Sequence, residues 1–215
     1  MQFRARDKIL ILGASECGKS YLGRQIQSLY KHKIIIDAAD EYNDTTVYTI
    51  FSDLTKFAEY LNQINFDRPK EFSIVFKFYD GIEDEIKTDI FNRICQMVWS
   101  FKGVLFVVEE THEFCTPHKM PNWFALLEKK GRHREIGVLK VTQRPADIHK
   151  GILSECQHIF IGRLQATNDI DYVSNFIDSK FNLRTLQDRN FFYYSKDQKK
   201  LITTESNRSG KKSKK

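Results

Sequence analysis

Residues 13–20 read Gly-Ala-Ser-Glu-Cys-Gly-Lys-Ser, and no other stretch constrains the fold as tightly. They follow a short apolar run, Lys8-Ile-Leu-Ile-Leu12, which predicts a strand. They precede Tyr21 to Tyr30, whose apolar residues recur at helical spacing. A strand that turns through GxxxxGK[ST] into a helix is the context in which this pattern cradles phosphate. Gly13 and Gly18 permit backbone angles and close approaches that a Cβ forbids. The amides of Ala14, Ser15, Glu16 and Cys17, with the helix N-terminus, then form an anion-binding concavity. Lys19 is expected to reach the β- and γ-phosphates of a nucleotide, and Ser20 to offer its hydroxyl to Mg²⁺.

The rest of the chain alternates strand and helix, which predicts an α/β fold with a parallel sheet covered on both faces. Predicted strands are Ile34–Ile36, Val47–Phe51, Ser73–Tyr79, Gly103–Val108, Ile136–Thr142 and Gln157–Ile161. Helical spacing covers Asp53–Ile64, Ile82–Phe101, Pro121–Lys130 and Asn168–Ile177. In the longest of these the expected apolar stripe is Ile82, Ile86, Ile90, Ile94, Met97, Val98 and Phe101. Gly103 to Val108 is apolar throughout and is therefore expected at the sheet centre. Phe191–Tyr194 and Leu201–Thr203 predict a C-terminal β-hairpin.

Length and charge narrow the organisation. The 215 residues fit one domain over 1–205. Of the formal net charge of +6, five charges fall in residues 206–215, which hold no acid. The body is thus near neutral, and the tail is expected to be disordered and basic. Such a tail suits a salt-dependent contact with nucleic acid or a solvated terminus. No run approaches the roughly 20 apolar residues of a membrane span, and Met1–Asp7 lacks the apolar core of a signal peptide. Four scattered cysteines without a CxxC suit a reducing compartment.

Three further groups carry candidate chemistry. Glu109 and Glu110 follow the apolar strand, where α/β sheets bind ligands. Glu109 is assigned to the metal together with Ser20, and Glu110 to activation of the attacking water. Gln143 closes the next strand, where a neutral amide can contact the γ-phosphate or the lytic water. Lys129–Arg134 (Lys-Lys-Gly-Arg-His-Arg) is a basic loop, with Arg132 and Arg134 as candidates for an arginine inserted into a neighbouring subunit's site. The same loop also suits DNA phosphate contact or plain solvation. Weaker signals are a His112/Cys115/His118 spacing that suggests zinc without completing a site, an oxidation-sensitive or merely space-filling Cys17, and Lys140, a charge inside an apolar strand.

Taken together, Gly13–Ser20, Ile34–Asp37 with Glu41-Tyr42, Leu105–Phe114, Gly131-Arg132, Val138–Pro145 and His158–Arg163 resemble the HerA/FtsK class of P-loop ATPases. The resemblance spans about residues 8–178. It implies a RecA/ASCE-like P-loop NTPase sheet in which the Gln143 strand lies between the phosphate-loop strand and the acidic strand. It implies ATP and Mg²⁺ as cofactors, a homo-oligomeric ring (hexamer or pentamer) with sites between subunits, and double-stranded DNA in the pore. It supports Gln143 as a sensor and an arginine of 131–134 as the finger. The chain departs from the class in carrying Glu109-Glu110 where Asp-Glu is usual. It is also shorter than cellular HerA and FtsK proteins. That brevity resembles viral genome-packaging ATPases, which implies action in host cytoplasm or at a capsid vertex with vertex proteins. A cellular or plasmid translocase and a non-hydrolysing, nucleotide-gated assembly module are the alternatives.

Overall fold

The computed structural model describes residues 3–67, 69–177, 182–195 and 198–203. The basic tail and the tip of the C-terminal hairpin lie outside the described residues. The elements in chain order are β1 (Lys8–Leu12), α1 (Lys19–Gln27), β2 (His32–Asp37), β3 (Thr49–Phe51), α2 (Leu54–Phe66), β4 (Phe72–Lys77), α3 (Asp84–Trp99), β5 (Leu105–Val108), α4 (Asn122–Lys130), β6 (Gly137–Thr142), α5 (Lys150–Glu155), β7 (His158–Ile161), α6 (Thr167–Ile177), β8 (Asn190–Ser195) and β9 (Lys199–Thr203). They build one nine-stranded sheet in the order β3-β4-β2-β5-β6-β1-β7-β8-β9. The first seven positions are parallel, and β8 and β9 are antiparallel. The α/β class, the parallel core and the closing hairpin follow the expectation from sequence.

Parallel strands covered on both faces read as near-continuous apolar runs, and β1, β5 and β6 are buried throughout, including Lys8, Lys140 and Thr142. Alternate side chains feed two cores, as a period of two requires. Leu10, Ile34, Phe106 and Val138 face a large core closed by α2 to α6. Ile9, Ile35, Val107 and Leu139 face a smaller one closed by α1, through Leu22 and Ile26, and by Phe191 and Tyr193 of β8. Helices lie on both faces, but unequally.

The boundaries moved where caps decide them. Asp53 stands outside α2 and caps it, its carboxylate accepting from the Lys56 amide at 2.8 Å. α3 begins two residues later than expected, so Ile82 precedes it, and Ile86 in its first turn is exposed. Its buried stripe is Phe91, Ile94, Cys95 and Val98. Lys140 also finds its explanation: it is fully buried and ion-paired with the equally buried Glu128 of α4.

Candidate nucleotide site

Parallel strands place their following loops at one edge. The segment 13–20 leaves β1, Glu109-Glu110 leaves β5, Gln143 leaves β6 and Asp37–Tyr42 leaves β2, so all four meet there. β6 lies between β1 and β5, as the resemblance implied.

The phosphate loop is moulded from outside. Gly13 (φ +155°) and Gly18 (φ +100°) take angles that suit glycine. The Ala14 amide donates to Arg163 O at 2.7 Å, and the Arg189 amide donates to Cys17 O at 2.8 Å. Cys17 Sγ is wedged between two glycines: a Cβ at either Gly13 or Gly162 would stand 2.7 Å from it. Burial pushes the Cys17 thiol up, which opposes the oxidation-prone reading and supports the space-filling one. Lys19 Nζ donates to Ala14 O at 2.9 Å, across the mouth of the loop.

The acidic strand end is tied to the loop after β2. The Asp37 carboxylate accepts from the amides of Ala39 (3.3 Å), Glu41 (3.0 Å) and Tyr42 (3.0 Å), folding that loop back on the site. Ser20 Oγ then donates to Glu41 Oε1 at 2.7 Å. The Tyr42 hydroxyl donates to Glu109 Oε1 at 2.6 Å and accepts from Gln27 Nε2 of α1 at 2.7 Å. The two residues assigned to Mg²⁺, Ser20 and Glu109, are therefore each held by one of two adjacent residues. Only side-chain pairing in three dimensions reveals Glu41 and Tyr42 in this role; the sequence showed them just as part of a resemblance.

Glu109 is fully buried, and desolvation raises its pKa to about 8. The Tyr42 hydrogen bond opposes this, while Glu41, Glu110 and Asp37 add to it. Glu110 has left-handed backbone (φ 45°, ψ 52°), which turns the chain sharply after Glu109 into the 3₁₀ turn Thr111–Glu113. Its pKa is also raised, chiefly by burial, while Lys19 and the Gln143 backbone amide favour its charge. Oxygen donors with surplus negative charge suit a hard cation such as Mg²⁺.

The arginine loop is not brought to this edge. Gly131–Arg134 precedes β6 and so lies at the opposite end of a six-residue strand, about 20 Å away. Arg134 is engaged structurally: its guanidinium donates to Phe101 O and Ser100 O at the end of α3 and lies over the Trp99 ring. Arg132 is exposed and lines a cavity of about 610 Å³ with Arg4, Arg6, Lys129 and His133. Of the zinc-spaced residues, His112 turns to Glu110 and Thr142, Cys115 is buried in the core, and His118 lines a separate surface cavity.

The genome packaging NTPase B204 from Sulfolobus turreted icosahedral virus 2, solved with ATP-gammaS, superposes with a TM-score of 0.72 at 17% identity, over 94% of this chain and 98% of that one. VirB4 of Thermoanaerobacter pseudethanolicus gives 0.66 at 13% identity, over 94% and 90%. This chain shares the fold of both proteins. In sequence, the guanine nucleotide-binding protein alpha-3 subunit of Caenorhabditis elegans is 24% identical over 129 residues, 57% of this chain and 36% of that protein. The chain thus spans about a third of the length of the curated relatives it matches. No protein-family model matches. Within this sheet, Gln143 stands beside both the 13–20 loop and the acidic pair because β6 runs between their strands. Among the described residues no helix is long and apolar enough to cross a membrane.

Proposed function

We propose that this chain hydrolyses ATP to move double-stranded DNA, as the genome-packaging motor of a virus. The observation that carries the reading is the split of the site residues between two edges. Phosphate loop, acidic pair and Gln143 share one edge, while the exposed Arg132 lies at the other, out of reach of its own site. A site completed in trans needs that arrangement, and a homo-oligomeric ring of five or six copies supplies it. The near-complete overlap with B204 supports packaging at a capsid vertex and in host cytoplasm.

In this scheme the amides of Gly13–Ser20 and Lys19 hold the phosphates. Ser20 and Glu109 hold Mg²⁺, which when bound neutralises charge on the phosphate oxygens. Glu110 takes the proton from the attacking water, Gln143 orients that water, and a neighbour's Arg132 steadies charge developing on the transferred phosphoryl group. The products are ADP and phosphate. The VirB4 likeness keeps a cellular or plasmid DNA translocase as a second reading.

The test is steady-state hydrolysis of ATP and of GTP, with and without double-stranded DNA, beside the mass of the assembled particle. ATP turnover stimulated by DNA in a ring-sized particle, lost in Lys19→Ala, is expected. A monomer indifferent to DNA overturns the motor reading, and a clear preference for GTP would favour the likeness to the guanine nucleotide-binding subunits.

A further inference from the structure

Glu110 Oε2 is buried and has no hydrogen-bond partner. A buried carboxylate oxygen without a partner is costly, and each such atom calls for an explanation. The His112 ring is beside it: Nδ1 lies 3.3 Å from Glu110 Oε2. The same nitrogen lies 3.2 Å from Thr142 Oγ1, on the last residue of β6. Thr142 Oγ1 also accepts from the Arg144 amide at 3.1 Å, so it belongs to the turn that carries Gln143.

One ring nitrogen therefore stands between two oxygens, one after β5 and one at the end of β6. A neutral imidazole nitrogen carries either a proton or a lone pair and serves one of them at a time. The backbone around it is fixed. Thr111 Oγ1 donates to Val108 O at 3.1 Å, and the Glu113 amide donates to Glu110 O at 2.8 Å. The ring is half-buried, and it lines an open cavity of about 700 Å³ with Asp84, Lys87 and Glu113. Burial lowers the His112 pKa, which keeps the ring neutral near pH 7.

We infer that His112 is the positioning residue for Glu110: its Nδ1 either engages the carboxylate or turns to Thr142, so the aim of the base follows the end of β6. His112 acts through Glu110, and the inference rests on the assignment of Glu110 as base made above. The motion required is small, since both oxygens already lie within a few tenths of an ångström of bonding distance.

The full chain is assayed for ATP turnover with Mg²⁺ and DNA as wild type, His112→Ala and His112→Asn. Affinity for ATP-gammaS and thermal melting are recorded for each. His112→Ala is expected to lower kcat roughly 10- to 100-fold, the scale of a misaligned catalytic group, with KM and ATP-gammaS affinity within about twofold of wild type. The Asn side-chain N–H can stand near the place of Nδ1, so His112→Asn is expected to recover most of that loss. A kcat within twofold of wild type in His112→Ala overturns the inference and leaves the hydrolytic reading standing. So does a loss that His112→Asn fails to repair while melting unchanged. A wild-type chain that hydrolyses no ATP overturns both.

Discussion

The two ends of the sheet bury charge in opposite ways. At the end where the strands finish, Asp37 is ion-paired with Lys77 and Glu41 with Arg24, while Glu109 and Glu110 have no Lys or Arg ion pair among the described residues. Glu109 is pushed to about 8, and an oxygen of Glu110 is left unpaired. Toward the other end, Lys140 pairs with Glu128, and Lys8 Nζ donates to Ile136 O at 2.8 Å. Even there Glu128 Oε1 lacks a partner and Lys8 falls to about 8 through burial, but acid and base are matched within the chain. Glu109 and Glu110 leave buried acid without an ion-pair partner at one end; the Lys140–Glu128 pair toward the other holds helix α4 to β6.

The largest effect separates two arginines of one loop. Arg132→Ala is expected to cost about 10³-fold or more in turnover with melting unchanged. Arg134→Ala is expected to cost about 1 kcal/mol of stability instead, through the lost cap and ring contact. Mixing Arg132→Ala with Lys19→Ala subunits should restore part of the ATPase rate; no recovery at any ratio breaks the division of the site between two ends. Next, Glu110→Gln should keep ATP affinity while turnover falls about 10²- to 10⁴-fold. Full turnover in that variant removes Glu110 from the base role.

A third test addresses the matched pair. Glu128→Ala or Lys140→Ala leaves one buried charge alone, at about 3–5 kcal/mol in urea unfolding. The double change Glu128→Leu with Lys140→Met should cost far less. Equal costs would mean that packing rather than charge is lost.

The smallest effect is a pH slope with opposite signs at the two ends. Glu109 has its folded pKa raised from 4.5 to about 8, so its contribution to metal-free stability is full below pH 4.5 and is lost as pH rises through 8. Lys8 has its folded pKa lowered from 10.5 to about 8, so the cost of burying its charge is present below pH 8 and relieved toward 10.5. Melting profiles of Glu109→Gln and Lys8→Met should each flatten one arm. A slope unchanged in Glu109→Gln would remove the acid crowding as its source.

How much of this was legible in the sequence depends on distance along the chain. The phosphate loop, the acidic pair and the strand–helix alternation are local, and the edge shared by residues 13–20, 109–110 and 143 followed from parallel strands. Helix α5 was not seen, because six residues are too few for a period to show. Lys140 was visible as an anomaly, but Glu128, twelve residues away on another element, was not identifiable as its partner. Glu41 and Tyr42 reach Ser20 and Glu109 only because Asp37 folds their loop back, and no spacing rule encodes that. Arg132 and Arg134 looked alike until the end of α3 claimed one of them.

The wedge of Cys17 between Gly13 and Gly162 has a consequence for how this sequence can change. Three positions spread over 150 residues share one small volume, and none can grow alone. A methyl group at 162 would meet the sulfur at 2.7 Å and Phe191 Cε1 at 3.1 Å, so Gly162→Ala should be tolerated only beside a smaller residue at 17, such as Cys17→Gly, and with a small shift of the Phe191 ring. Drift at these sites has to proceed in compensated pairs, and an isolated substitution far away in sequence would reshape the 13–20 loop through Cys17.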